Sequence, residues 1–224
     1  MSNQRNVFLR SEGDAYFRRS RSTLESADDD SVIRAIEFLD LEIGSVLELG
    51  CANGHRLEKL RTRMGCEAFG LDPSGQAIKD GVRSFPELDL RVGTGLEADV
   101  FQRDFECVIF GFFLYLVDRT DVMEQFSVAD RVLRDGGYAV FLDFSPMVPS
   151  VNDYHHHEGL KSYKLQYENV LLACGTYTRL FSWAFDLSSR KPAYDWENAC
   201  SVEVLQKRRF EELYTNDGGV TPDR

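Results

Sequence analysis

The stretch VLELGCANGH, residues 46–55, joins an apolar run to a nearly bare turn. Val46, Leu47 and Leu49 suit a buried strand, whereas Gly50, Cys51, Ala52, Asn53 and Gly54 leave little side-chain bulk before the next helical pattern. A turn emptied in this way either serves tight strand-to-helix packing or lets backbone N–H groups approach a bound ligand.

Strand and helix patterns alternate outward from that turn. DDDSVIRAIEFLD (28–40) carries Val32, Ile33, Ile36 and Leu39 at helical spacing, with Ser31 as a candidate cap. HRLEKLRTRMG (55–65) reads as a helix stopped by Gly65, CEAFGLD (66–72) as a strand, and PSGQAIKDGVRSF (73–85) as a helix with Pro73 in its first turn. LDLRVG (88–93) and FECVIFG (105–111) are further strands. TDVMEQFSVADRVLRDGG (120–137) reads as a helix stopped by Gly136 and Gly137, and YAVFLDF (138–144) as a fifth strand. This rhythm predicts a parallel sheet with helices on both faces. TYTRLFSWAFDL and SVEVLQKRRF are then consecutive β-rich runs without a helix between them, so they pair antiparallel.

Composition narrows the function. At 224 residues and 43% hydrophobic, with no low-complexity linker, the chain predicts one domain. A net charge of −11 disfavours a nucleic-acid partner, since the best basic cluster, QKRRF (206–210), is short. Five cysteines without a CxxC pair fit reduced thiols in a cytoplasmic protein. The first residues lack the apolar segment of a signal peptide. The apolar run 108–117 is too short to span a bilayer as a helix, so no membrane is expected.

In an open α/β sheet, ligands sit outside the carboxyl ends of the strands. Asp72 ends the second strand, where an acid can accept hydrogen bonds from both hydroxyls of a ribose. A plain helix-terminal acid is the other reading of this residue. VLELGCANG, FGLD, VGTGLEADVF, FECVIFGFFLYLVDR and RVLRDGGYAVFLDF follow one another over roughly residues 40–145. In this order they resemble the motifs of S-adenosylmethionine-dependent methyltransferases of the Rossmann-like type. The resemblance implies a doubly wound α/β sheet of seven strands, mostly parallel with an antiparallel C-terminal hairpin, and S-adenosylmethionine as cofactor. A dinucleotide fingerprint fits less well, because His55 stands where its third glycine belongs.

The resemblance also implies residue roles. Glu48, Gly50, Cys51, Ala52, Asn53 and Gly54 would line the methionine and ribose, with Ala52 replacing the motif's middle glycine. Asp72 would hold the ribose and Pro73 lie beside the adenine. Gly93, Thr94, Gly95 and Leu96 would wrap the adenine edge, with Thr94 where many relatives carry an acid. Phe110 and Gly111 would pass the sulfur, core packing being the other reading of Phe110. Tyr16 and Arg19, in a helix over the cofactor mouth, would cover the methionine tail. Four stretches are expected within the single domain: an N-terminal helical lid (1–40), a cofactor core (41–145), an acceptor-binding insert (146–180), and the terminal hairpin and tail (181–224).

The insert carries YHHHEGLKSYKLQY (154–167), similar to a block in bacterial methyltransferases associated with surface-polysaccharide gene clusters. That similarity points to a small-molecule acceptor such as a sugar, nucleotide-sugar or phosphorylated metabolite. Tyr154, Lys164 and Tyr167 are its candidate ligands. His156, or its neighbour His155, is the candidate base for an oxygen or nitrogen nucleophile. Three adjacent histidines cannot all face one ion in regular structure, so no metal site is expected. A non-catalytic nucleotide- or partner-binding module is the alternative function, and the oligomeric state stays open.

Overall fold

A computed structural model describes residues 4–26, 30–189, 191–192 and 198–213. The tail beyond 213 and the first two acids of the 28–40 stretch lie outside them. The chain begins with α1 (Gln4–Val7), a π-helical turn (Phe8–Glu12) and α2 (Gly13–Ser26), followed by α3 (Ser31–Phe38). β1 (Ser45–Leu49), α4 (His55–Met64), β2 (Glu67–Asp72), α5 (Gly75–Ser84) and β3 (Asp89–Val92) come next. A 3₁₀ segment (Gly95–Phe101) leads to β4 (Phe105–Gly111), then α6 (Val122–Val132) and β5 (Leu133–Phe144). The insert holds β6 (Ser150–Asp153), β7 (Lys161–Lys164) and α7 (Asn169–Ala173). β8 (Tyr177–Asp186), β9 (Ala199–Lys207) and α8 (Phe210–Leu213) close the chain.

Seven strands form one sheet in the order β3-β2-β1-β4-β5-β9-β8. The first five are parallel, and β9 runs antiparallel to both β5 and β8. Strand alternation divides the core between the two faces. Leu47, Leu49, Val108, Phe110 and Phe141 face α6 and the insert. Val46, Cys107, Ile109, Val140 and Val202 pack against α3 and α4. Strand β1 is buried along its whole length because helices cover both sides.

Several local expectations are corrected. Asp30, not Ser31, caps α3, its Oδ1 accepting from Val32 N at 2.9 Å and Ile33 N at 3.2 Å. Pro73 precedes the cap of α5 instead of lying in its first turn. Ser74 is that cap, its Oγ accepting from Ala77 N at 3.0 Å. Helix α6 stops at Val132, before the glycines, because buried Leu133 already pairs with Phe105 in the sheet. The expected boundary at 180/181 cuts through β8. The insert adds a two-stranded β6–β7 hairpin that periodicity did not reveal.

Asp30 also accepts from Arg56 Nε at 2.8 Å, and the same guanidinium pairs with Glu48 at the floor of the sheet. The Asp30→Ala variant loses the cap and one partner of a buried cation, and destabilises the fold by at least about 2 kcal/mol. Asp30→Asn keeps a capping oxygen and loses less, which urea denaturation of the two variants checks.

Candidate active site

The carboxyl ends of β1, β2 and β4 and the loop after β3 open onto a cavity of about 590 Å³. Arg5, Phe8, Tyr16 and Arg19 from the N-terminal helices form part of its lining. The β1–α4 turn can lie against this space because its backbone is left-handed at three positions, with φ of 72° at Gly50, 49° at Ala52 and 77° at Gly54. A Cβ on Gly50 would stand 2.9 Å from a ring carbon of Phe113, so glycine is needed there for room as well as for φ. Ala52 holds the left-handed position with a side chain, a strained choice for a residue that is not glycine. Phe112, at the end of β4, does the same at φ 64°.

Asp72 fastens two turns at once. Its Oδ2 accepts from Ala52 N at 2.8 Å and its Oδ1 from Ser74 N at 2.8 Å. Burial pushes this carboxyl up to about 6 despite both donors. Burial likewise pushes Glu48 up to about 7, against the opposing pull of Arg56. Asp143, at the end of β5, is pushed up to about 7 by burial while accepting from Leu114 N and Phe144 N.

The cavity brings together Glu48, Gly50, Cys51, Ala52, Asn53, Asp72, Pro73, Gly93, Thr94, Gly95, Gly111, Tyr16, Arg19 and His156. It leaves out the other candidates. Phe110 is core, stacked on Phe141 at 4.5 Å between ring centroids. Gly54 caps α4 against Leu88 and Leu90. Leu96 and His155 do not line the cavity. Tyr154 is buried behind it, donating to Glu12 at 3.1 Å and accepting from Arg19 at 3.0 Å, so it ties the lid to the insert. Lys164 sits over the Phe144 ring and donates to Asn198, and Tyr167 is buried with its hydroxyl on Tyr163 O. His156 remains at the rim, exposed, with its ring 5.3 Å from that of Tyr154.

Sequence reasoning missed Arg5, Phe8, Arg56, Phe112, Phe113 and Gln125 as cavity residues. The pair of phenylalanines lay inside an apolar run that read as core. Gln125 did leave a signal, since Val122, Gln125, Phe126 and Ala129 occupy one helical stripe and the glutamine interrupts it.

Residues 46–137 match a family model described as a methyltransferase domain. No curated protein matches the sequence. Among solved structures, the Burkholderia thailandensis 1,6-didemethyltoxoflavin N1-methyltransferase, with S-adenosylhomocysteine bound, is similar at TM-score 0.69 and 15% identity. That match covers 93% of this chain and 92% of that one. The Bradyrhizobium japonicum N-methyltransferase NodS, also with S-adenosylhomocysteine, is similar at TM-score 0.60 and 16% identity, covering 88% and 99%. A Methanosarcina mazei S-adenosylmethionine-dependent methyltransferase is similar at TM-score 0.61 and 15% identity, covering 78% and 97%. The fold is the Rossmann-like methyltransferase fold, and the matched domain makes the chain a methyl-transferring enzyme. Two of these neighbours hold S-adenosylhomocysteine, the demethylated product of S-adenosylmethionine.

The cavity's chemistry fits that cofactor, which brings an ammonium, two ribose hydroxyls and an amino group as donors. Five buried side-chain polar atoms lack a hydrogen-bond partner among the described residues. Three of them, Glu48 Oε2, Asn53 Oδ1 and Gln125 Oε1, are acceptors on cavity-lining residues.

Asp72, Glu48 and Asp143 hold protons more tightly in the folded chain than at their ordinary values of 3.8, 4.5 and 3.8. The folded state therefore binds the extra protons, and these groups stabilise it fully only below about pH 4. That contribution is lost as pH rises through 6 to 7. Thermal melts of the ligand-free protein should show Tm falling between pH 5 and pH 8, and a rise over that interval contradicts the burial of these groups.

Proposed function

We propose that the protein transfers the methyl group of S-adenosylmethionine to an oxygen or nitrogen of a small molecule, with Asp72 holding the ribose and His156 taking the acceptor's proton. The observation that carries this reading is one cavity bordered by the left-handed glycine turn, Asp72, the lid residues Tyr16 and Arg19, and His156. The cofactor supplies a methyl group already activated on a sulfonium. The protein's task is then alignment and exclusion of water.

Asp72 spends two of its acceptor sites on Ala52 and Ser74, and a carboxylate keeps about two more for the ribose hydroxyls. The bare turn from Gly50 to Asn53 lets the methionine lie against backbone, and Glu48 Oε2 faces its ammonium. Arg19 is held by Glu12 at 2.5 Å and closes the lid without turning away from the cavity. His156 at the rim is free to receive a proton and pass it to solvent. Phe8, Leu116 and Val117 flank the acceptor, and Arg5 replaces Lys164 as the cation facing it.

A sugar, nucleotide-sugar or phosphorylated metabolite of surface-polysaccharide synthesis fits Arg5 and the resemblance of the insert. A flat heterocycle, the acceptor class of the toxoflavin enzyme, fits the aromatic walls and belongs in the same acceptor screen.

Two variants separate the roles. Asp72→Asn weakens S-adenosylhomocysteine binding by about 1.5–3 kcal/mol in calorimetry, the scale for hydrogen bonds to a charged group. His156→Ala lowers the methyl-transfer rate about 10²–10⁴-fold and leaves that affinity unchanged. A His156→Ala enzyme that keeps more than half its rate with saturating acceptor excludes His156 as the base.

A further inference from the structure

Gln125 belongs to none of the motifs that identify the fold. It sits on the buried stripe of α6, only 4% exposed, and still borders the cavity. Its Oε1 has no hydrogen-bond partner among the described residues. A methyl group placed on Gly95 would come within 2.3 Å of this oxygen, so the amide is packed directly against the loop after β3. A buried carbonyl without a donor is costly, and a leucine would fill the same space without that cost. The amide therefore calls for a donor that arrives with a ligand.

We propose that Gln125 reads the adenine of the cofactor, its carbonyl accepting from the exocyclic amino group. The inference rests on the cofactor reading above. With the ribose at Asp72 and the methyl group turned toward His156, the base extends the opposite way, past Pro73 to the β3 loop. Gly93, Thr94 and Gly95 line the cavity there.

Thr94 does not serve as the amino acceptor in that place. Its hydroxyl donates to Glu97 Oε2 at 2.6 Å and accepts from Leu96 N at 3.3 Å, which turns it into the loop as a helix cap. The bare Cα of Gly95 opens the gap through which the amide reaches. The last torsion of a glutamine side chain is soft, so a small rotation brings Oε1 to the base. A carboxamide can pair with adenine in a bidentate manner, accepting from N6 and donating to a ring nitrogen. Recognition of the base thus moves from the β3 loop to helix α6.

Calorimetry with two ligands tests this without turnover. S-adenosylhomocysteine carries the amino group, and S-inosylhomocysteine carries a carbonyl in its place. The wild-type protein should prefer the first by about tenfold. Gln125→Leu should reduce that preference to within about twofold, mainly by losing affinity for S-adenosylhomocysteine. Gln125→Glu keeps an acceptor and should keep the preference. Thermal melts establish that each variant is folded, and Gln125→Met is the second apolar variant should leucine fail to fold. An apolar variant that retains the tenfold preference overturns the assignment, as does a wild type that binds both ligands equally. A wild type that binds neither ligand overturns the cofactor reading and this inference together.

Discussion

The double grip of Asp72 sets the geometry of everything around it. One carboxylate at the end of β2 accepts the N–H of Ala52 from the neighbouring turn and of Ser74 from its own. Two strand ends that are adjacent in the sheet, with Leu49 opposite Leu71, are thereby locked in relative position beyond the last ladder bond. The left-handed backbone at Ala52 persists because this bond and the close packing at Gly50 over-determine it. The helices that begin after each turn, α4 and α5, inherit their direction from the same clamp.

The alternation of strands and helices was legible because the sheet is buried on both faces and strand β1 is apolar apart from Ser45 and Glu48. The glycine turn and Asp72 were legible because close backbone approach leaves a mark in residue size and spacing. The acceptor side was not. Lys164 and Tyr167 have the right chemistry and the wrong direction, since β7 turns one toward Phe144 and burial claims the other. Arg5 and Phe8 sit beside the cavity only through the fold of the N-terminal helices, a placement with no local spacing to reveal it. Phe112 was hidden because an apolar run carries no sign that one of its residues is left-handed.

Acceptors at Glu48, Asn53 and Gln125 that have no donor among the described residues, and non-glycine residues held left-handed at Ala52 and Phe112, are each unfavourable by themselves. The covered core on either side of the sheet outweighs them. A ligand that completes the hydrogen bonds adds its binding free energy to the folded state alone.

Gln4 is 1% exposed, and its amide donates to Leu116 O at 2.8 Å while accepting from Lys161 N at 2.6 Å. These bonds span 112 and 157 residues of sequence. Contacts so distant along the chain form late, since a long loop must close before they return any energy. During synthesis, the roof of the cavity leaves the ribosome well before either of its anchors exists. It waits, unable to dock, until the insert has been made and folded, so a nascent chain can assemble the sheet long before it can enclose anything.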